Sequence, residues 1–350
     1  MKKLINGNEA TFLGAVKAGA TFFAGYPITP STEILIQAAE LNAKNPNFKF
    51  IQSEDEMAAA NAVIGASLAG AKAFTATSGP GFSLMQETIG YGHQLEVPAV
   101  YMNVMRVGPA TGMPTRPSQH DILQTKYGSS GDYYPLVFYP NSVEECYRHA
   151  VTAFNAAEES LSPVIFLGDA FLSHLYEVVD LDTIEIEVVP RIIPPLGSGN
   201  RTFTGLTHDE NLSPRTVDAA AFRRWHDKVK ARHTKIAKRY AHFEFYGNKK
   251  SDTLLIAYGI TSRVIAPLKS SFAIFRPIRI IPILSDELQK YAKDYKNIVV
   301  IEANDGQYAS MVECELKRDI IRIPLLGGKI SLVEAIQGLK DKLDREVINV

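Results

Sequence analysis

Four short segments hold the residue types best suited to chemistry. In Gly25-Tyr26-Pro27-Ile28-Thr29-Pro30-Ser31-Thr32-Glu33, two prolines flank Thr29 and fix the position of its hydroxyl. Ser31 or Thr32 can cap the helix that follows, so the segment also fits an ordinary strand-to-helix turn. Ser53-Glu54-Asp55-Glu56 opens a run almost without side-chain bulk: Ala58, Ala59, Ala60, Ala62, Gly65 and Ala66. A helix so bare suits close contact with another backbone or a flat ligand. Ser53 and Glu56 stand in capping-box register, so Glu56 either reaches back to the Ser53 amide or serves as a functional acid at a helix head. In Thr77-Ser78-Gly79-Pro80-Gly81 the glycines let backbone approach a ligand, but no Walker or dinucleotide spacing accompanies them. Arg106, heading Arg106-Val107-Gly108-Pro109-Ala110-Thr111-Gly112-Met113-Pro114-Thr115-Arg116, suits bidentate capture of a carboxylate, or the tying-down of loop carbonyls.

Such residues need a scaffold. Short apolar runs predict strands at 21–24, 48–52, 73–77, 98–105, 135–139 and 163–167, alternating with helical patterns at 31–41, 55–69 and from the Ser78–Gly81 turn to about 94. That alternation predicts an α/β fold, a parallel sheet with helices on both faces. The four segments each follow a predicted strand, at the edge where ligands of open α/β sheets bind. Some thirty residues rich in Gly, Pro, Ser and Thr separate the fourth strand from the fifth, and a loop of that length is more often functional than idle. Residues 190–249 read as an irregular connector plus an amphipathic helix at 222–240, with Phe222, Trp225, Val229, Ile236 and Tyr240 on its apolar stripe. Eight Lys or Arg against Asp227 in 223–239 predict a solvated basic face, with docking of an acidic redox partner second. Strands at 253–258, 278–282, 298–302 and 320–323 predict a smaller α/β domain over 250–350, after a first domain over 1–189.

Composition removes other classes. With 350 residues, 46% hydrophobic and a formal charge of -1, the chain has material for sizeable cores and no overall field drawing it to nucleic acid or anionic lipid. No apolar run reaches the roughly 20 residues of a membrane span, and the first residues turn polar too soon for a signal peptide, so a cytoplasmic protein is expected. Cys146 and Cys314 alone cannot build a Cys₄ zinc site or an iron–sulfur site. The eight histidines show no metal spacing, and no Gly-x-Ser-x-Gly elbow exists, so no metal site of the chain's own is expected.

Taken together, the segments resemble the α subunit of the 2-oxoacid:ferredoxin oxidoreductases, thiamine-diphosphate enzymes. Tyr26-Pro27-Ile28-Thr29-Pro30 resembles the family's signature loop, in which the threonine faces the 2-oxoacid. Gln52-Ser53-Glu54-Asp55-Glu56-Met57-Ala58-Ala59 resembles the start of its thiamine-activating helix; gapless alignment back from Ala62-Val63-Ile64-Gly65-Ala66 puts the catalytic glutamate at Glu56, with Glu54 the fallback. Ser78-Gly79-Pro80-Gly81 is similar to the pyrimidine-domain turn, and Arg106 with Thr111 to the substrate-carboxylate loop. Glu302-Ala303-Asn304-Asp305-Gly306-Gln307 is similar to a motif of the second, transketolase C-terminal-like domain.

The resemblance implies that Glu56 hydrogen-bonds the pyrimidine nitrogen, and that Tyr26, Pro27, Ile28, Ser78, Gly79, Pro80 and Gly81 line the cofactor. Thr29, Arg106 and Thr111 would bind substrate. Gly168-Asp169-Ala170 lacks the second glycine of the family's diphosphate motif, and no suitably spaced Asn follows. The resemblance therefore implies a β subunit holding the diphosphate through Mg²⁺ and a [4Fe-4S] cluster, an (αβ)₂ assembly, coenzyme A as co-substrate and ferredoxin as acceptor. The expected substrate order is 2-oxoglutarate, a branched-chain 2-oxoacid, then pyruvate. Ala110 stands where 2-oxoglutarate relatives usually show Ser, and Gln119-His120-Asp121 where they show Gln-Gly-Asp. A non-catalytic paralogous subunit and a non-redox thiamine decarboxylase or synthase are the alternative expectations.

Overall fold

The computed structural model describes residues 2–199 and 201–343; the last seven residues of the predicted 250–350 unit lie outside the described residues. Its principal sheet runs Arg279–Ile281, Leu136–Phe138, Pro163–Asp169, Ala99–Val107, Ala73–Thr77, Phe22–Gly25, Lys49–Gln52. The six strands drawn from residues 22–169 are mutually parallel, and Arg279–Ile281 adds antiparallel at one edge. Continuous burial along Ala73–Thr77 and Ala99–Val107 explains why these segments are apolar or small rather than alternating: helices cover both their faces.

One face carries Gly7–Lys17, Thr32–Lys44 and Val143–Ser160 over a cluster that includes Phe12, Phe23, Phe74 and Phe154. The other carries Glu56–Leu68 and Gln86–Gln94, and on this face the second α/β unit docks. That unit's sheet is ordered Phe243–Gly247, Ala273–Pro277, Thr253–Ile256, Asn297–Glu302, Ile321–Pro324. Ala59, Val63, Tyr101 and Tyr139 from the first unit pack in one apolar cluster with Tyr258, Phe275, Ile298 and Tyr308 from the second. The two units therefore share a core, and the loops between them are held from both sides.

Several expectations change. The strand expected at 278–282 forms as Arg279–Ile281, but it joins the first sheet rather than the second, because periodicity reports strand character and not partner. The helix after the Ser78–Gly81 turn is two helices, Gly79–Leu84 and Gln86–Gln94, meeting at Met85. The long loop holds a strand, Met113–Pro117, antiparallel to Ala99–Val107, and a short helix, Ile122–Tyr127. In Ala219–Arg239, Trp225, Val229 and Ile236 are buried as expected, but Phe222 is exposed and His233 takes an inward position. Part of the basic face is internally paired: Arg232 with Glu96, Arg224 with Glu210, and Arg239 with Glu159. Among the described residues no helix is long and apolar enough to cross a membrane.

Candidate active site

The strands Phe22–Gly25, Lys49–Gln52, Ala73–Thr77 and Ala99–Val107 end at the same edge, so the four chemically suggestive segments converge. At the head of Glu56–Leu68 the cap is Asp55, whose Oδ1 accepts from the Ala58 amide at 2.7 Å. The capping box between Ser53 and Glu56 does not form; the Ser53 N–H is taken by the Gly25 carbonyl at 2.9 Å. Glu56 is thereby released from capping. It is only 6% exposed, whereas Glu54 lies on the surface. No donor among the described residues hydrogen-bonds the Glu56 carboxylate, and its oxygens are not sealed off.

Gly81 is what leaves room for that carboxylate. A Cβ at this position would lie 2.4 Å from Glu56 Oε1 and 2.2 Å from Thr77 Oγ1, so any other residue would displace one of them. The hydroxyls of Thr77 and Ser78 are buried with no hydrogen-bond partner. An unengaged acid, two unpaired hydroxyls and a side-chain-free turn form a polar recess that this chain's own groups do not satisfy.

Arg106 is 6% exposed, and of the two expectations for it the structure shows the tying-down of a loop carbonyl. Its Nη1 donates to the Thr29 carbonyl at 2.7 Å, tying down the proline-flanked loop, while its Nε–H is buried and unpartnered. Three strand positions earlier, Asn103 Nδ2 donates to Asp121 at 2.9 Å. Burial pushes the Asp121 carboxyl up from its ordinary range, against the opposing pull of Asn103 and Arg106. The Gly108 N–H donates to His120 Nδ1 at 3.2 Å, and burial lowers the imidazole's pKa, so the ring is neutral with its proton on Nε2. Arg106, His120, Asp121, Gly79, Pro80 and Asp305 are among the residues lining an open cleft of about 640 Å³. A second cavity, about 450 Å³ and mostly apolar, lies beyond the Ile122–Tyr127 helix against Tyr133 and Tyr134; it holds none of the sequence-derived site residues.

The structure thus brings Glu56, Ser78, Gly79, Pro80, Gly81 and Arg106 together. Thr29 reaches the group through its carbonyl while its side chain lies at the exposed rim with Tyr26 and Pro27, and Ile28 is half-buried. Thr111 is exposed beyond the cleft lining. Asn103 and Asp121 were not among the expected site residues; no local pattern joins residues that meet only when the strand and the long loop fold together.

Glu302-Ala303-Asn304-Asp305-Gly306-Gln307 works as a clamp. Glu302 accepts from Tyr258 Oη at 2.5 Å and from the Tyr308 and Ala309 amides at 3.0 Å each. Asn304 Nδ2 donates to the Gln119 carbonyl at 2.7 Å, and Gln307 Nε2 to the His120 carbonyl at 2.5 Å. Asp169, in the incomplete diphosphate motif, is fully buried and caps Ala170–His174 through the Phe171 and Leu172 amides. Its other oxygen accepts from Tyr139 Oη at 2.7 Å, so both oxygens are engaged within the fold.

Comparison with known proteins gives the family. Residues 13–244 match the family described as "Pyruvate flavodoxin/ferredoxin oxidoreductase, thiamine diP-bdg". The chain is 41% identical to the 2-oxoglutarate synthase subunit KorA of Archaeoglobus fulgidus, over 96% of this chain and 99% of that one. It is 31% identical to the ketoisovalerate oxidoreductase subunit VorB of Methanothermobacter marburgensis, covering 94% of each. Among solved structures, the 2-oxoglutarate:ferredoxin oxidoreductase from Magnetococcus marinus, with 2-oxoglutarate, coenzyme A and succinyl-CoA bound, superposes with a TM-score of 0.89 at 28% identity. The match spans 97% of this chain and 65% of that longer one. A split-gene transketolase in an inactive β4 tetramer matches at 12% identity with a TM-score of 0.60, a likeness of fold alone.

Proposed function

The chain belongs to the pyruvate flavodoxin/ferredoxin oxidoreductase family, and from that membership we propose that it is the α subunit of a thiamine-diphosphate-dependent 2-oxoacid:ferredoxin oxidoreductase acting in the cytoplasm. The reaction converts a 2-oxoacid and coenzyme A into acyl-CoA and CO₂, with two electrons passing one at a time to ferredoxin. 2-Oxoglutarate is the favoured substrate and a branched-chain 2-oxoacid the next, in keeping with the names of the relatives at 41% and 31% identity.

The observation that carries this reading is Glu56: an acid at a helix head, released from capping by Asp55 and kept clear by Gly81. Its carboxylate fits a hydrogen-bonding group on an aminopyrimidine, and the unpaired Thr77 and Ser78 hydroxyls fit polar edges of the same ring. Bound there, thiamine diphosphate supplies the carbon nucleophile and the electron sink for loss of CO₂. Arg106, with Nη1 spent on the Thr29 carbonyl, keeps its Nε edge for the substrate carboxylate, so the same side chain sets the loop and holds the acid. The tie to Thr29 keeps the proline-flanked loop beside that carboxylate.

A β subunit would hold the diphosphate with Mg²⁺ and the [4Fe-4S] cluster, in an (αβ)₂ assembly. Supporting this, Asp169 is consumed by its helix cap and Tyr139, and the two cysteines are far apart in sequence. Tyr26, Ile51, Met57 and Leu84, exposed apolar side chains on the segments around the recess, suit a partner's surface. The test is to co-purify the chain with its native partner and assay 2-oxoglutarate, 3-methyl-2-oxobutanoate and pyruvate side by side. Coenzyme A-dependent CO₂ release with reduction of ferredoxin is expected, fastest with 2-oxoglutarate. A complex inactive with all three overturns the proposal.

A further inference from the structure

We propose that His120 determines substrate choice: its Nε2–H donates to the second carboxylate of a dicarboxylic 2-oxoacid whose first carboxylate rests on Arg106. The inference builds on the function proposed above and adds a residue and a ligand group to it.

His120 is firmly held. On its N-terminal side Gln119 is fully buried, with Nε2 donating to the Tyr258 carbonyl and Oε1 accepting the Ala303 amide, each at 2.8 Å. The His120 carbonyl accepts from Gln307 Nε2 at 2.5 Å, and the next residue, Asp121, is held by Asn103 at 2.9 Å. The ring is fixed as well, because the Gly108 N–H occupies Nδ1. An imidazole accepting at Nδ1 carries its proton on Nε2, and that nitrogen has no partner among the described residues. It belongs to a residue of the cleft wall. A rigid, correctly protonated donor with nothing to donate to is what a recognition group looks like before its ligand arrives.

Each of the other side-chain amides on the wall has one N–H already engaged. Gln124 Nε2 donates to Ser83 Oγ at 2.8 Å, and the Gln307 amide is used at both ends, toward the His120 carbonyl and the Leu123 N–H. Gln124 and Gln307 each keep a second amide N–H, and His120 is the imidazole donor of this wall, with no partner for its Nε2–H among the described residues. A ligand with an apolar end would leave that N–H unpaired, whereas a second carboxylate would accept it. Because the imidazole is neutral, it offers this bond without a second buried cation, and the Asp121 charge nearby is balanced by Arg106.

The experiment uses the αβ complex carrying wild-type chain, His120→Ala or His120→Gln. 2-Oxoglutarate and 3-methyl-2-oxobutanoate compete in one reaction, so their kcat/KM ratio is independent of how much enzyme folded. Calorimetric titration of 2-oxoglutarate into complex stripped of cofactor gives binding without turnover. His120→Ala is expected to shift the ratio against 2-oxoglutarate by about tenfold or more and to weaken its binding comparably. His120→Gln, which can accept from Gly108 and still donate, is expected to recover most of the preference. An unchanged ratio, equal losses on both substrates, or a wild-type preference for the branched-chain acid overturns the proposal. A wild type active on 2-oxoglutarate with an unshifted ratio sinks only the role of His120; a wild type inactive on every 2-oxoacid sinks the function beneath it too.

Discussion

Two acids on the same sheet edge have opposite fates. Asp169 and Glu56 each follow a strand and stand at the head of a helix, and both are buried. Asp169 is engaged at both oxygens: Oδ1 takes the Phe171 and Leu172 amides at 2.9 and 3.0 Å, and Oδ2 takes Tyr139 Oη at 2.7 Å. Glu56 accepts nothing from the described residues, because Asp55, one residue earlier, has taken the cap. The Glu56 oxygens have no donor among the described residues and are not sealed from solvent, so a ligand can hydrogen-bond them without breaking a protein contact. The comparison teaches that an acid at a helix head is structural or functional according to which neighbour caps, a difference of one residue in register.

The sharpest way to break this contrast is to neutralise each acid and read activity and stability separately. Glu56→Gln should lower CO₂ release by the αβ complex about 100-fold or more, with little change in thermal midpoint, since no protein bond is lost. A large fall in stability with residual activity would instead make Glu56 a structural acid. Gly81→Ala should come next, costing roughly 10- to 100-fold in activity, because its Cβ would sit 2.4 Å from Glu56 Oε1 and move the carboxylate. Near-normal turnover in that variant would mean the position of Glu56 is not critical.

Asp169→Ala should show the reverse pattern, a loss of about 2–4 kcal/mol in urea unfolding, from an uncapped helix and an unpaired buried phenol on Tyr139.

The pH dependence sharpens the contrast further. Burial outweighs its three donors and pushes the Asp169 carboxyl up to about 6. The folded state therefore binds this proton more tightly than the unfolded chain does, and stability falls as pH rises from about 4 to 6. Asp169→Asn removes that titration. Its stability relative to wild type should improve by about 2 kcal/mol between pH 4.5 and 7, and a difference flat with pH would contradict the assignment. The smallest effect is expected at Glu54, which is exposed; Glu54→Gln should leave turnover within about twofold.

Legibility from sequence followed burial only in part. Residues 73–77, apolar or small throughout and buried on both faces, form the strand expected there to the residue, and the convergence of four loops follows from the expected parallel sheet. Three of the missed strands lack that signal, although Ala273–Pro277, buried along its whole length, was missed as well. Lys2–Asn6 and Tyr176–Asp180 pair only with each other and face outward in part, and Met113–Pro117 contains two prolines. The Glu56 ambiguity could not be resolved from spacing, because Ser53 and Asp55 are both competent caps. Asn103, Asp121 and the free edge of His120 depend on contacts between distant segments, which no local pattern encodes.

The most direct measurement of the central claim is a structure of the αβ complex with thiamine diphosphate bound. The account predicts a Glu56 carboxylate oxygen about 2.6–3.2 Å from a pyrimidine ring nitrogen, in the recess beside Gly81. A cofactor ring seated elsewhere, or one whose nitrogen is met by Glu54 or by solvent while Glu56 turns away, would contradict it.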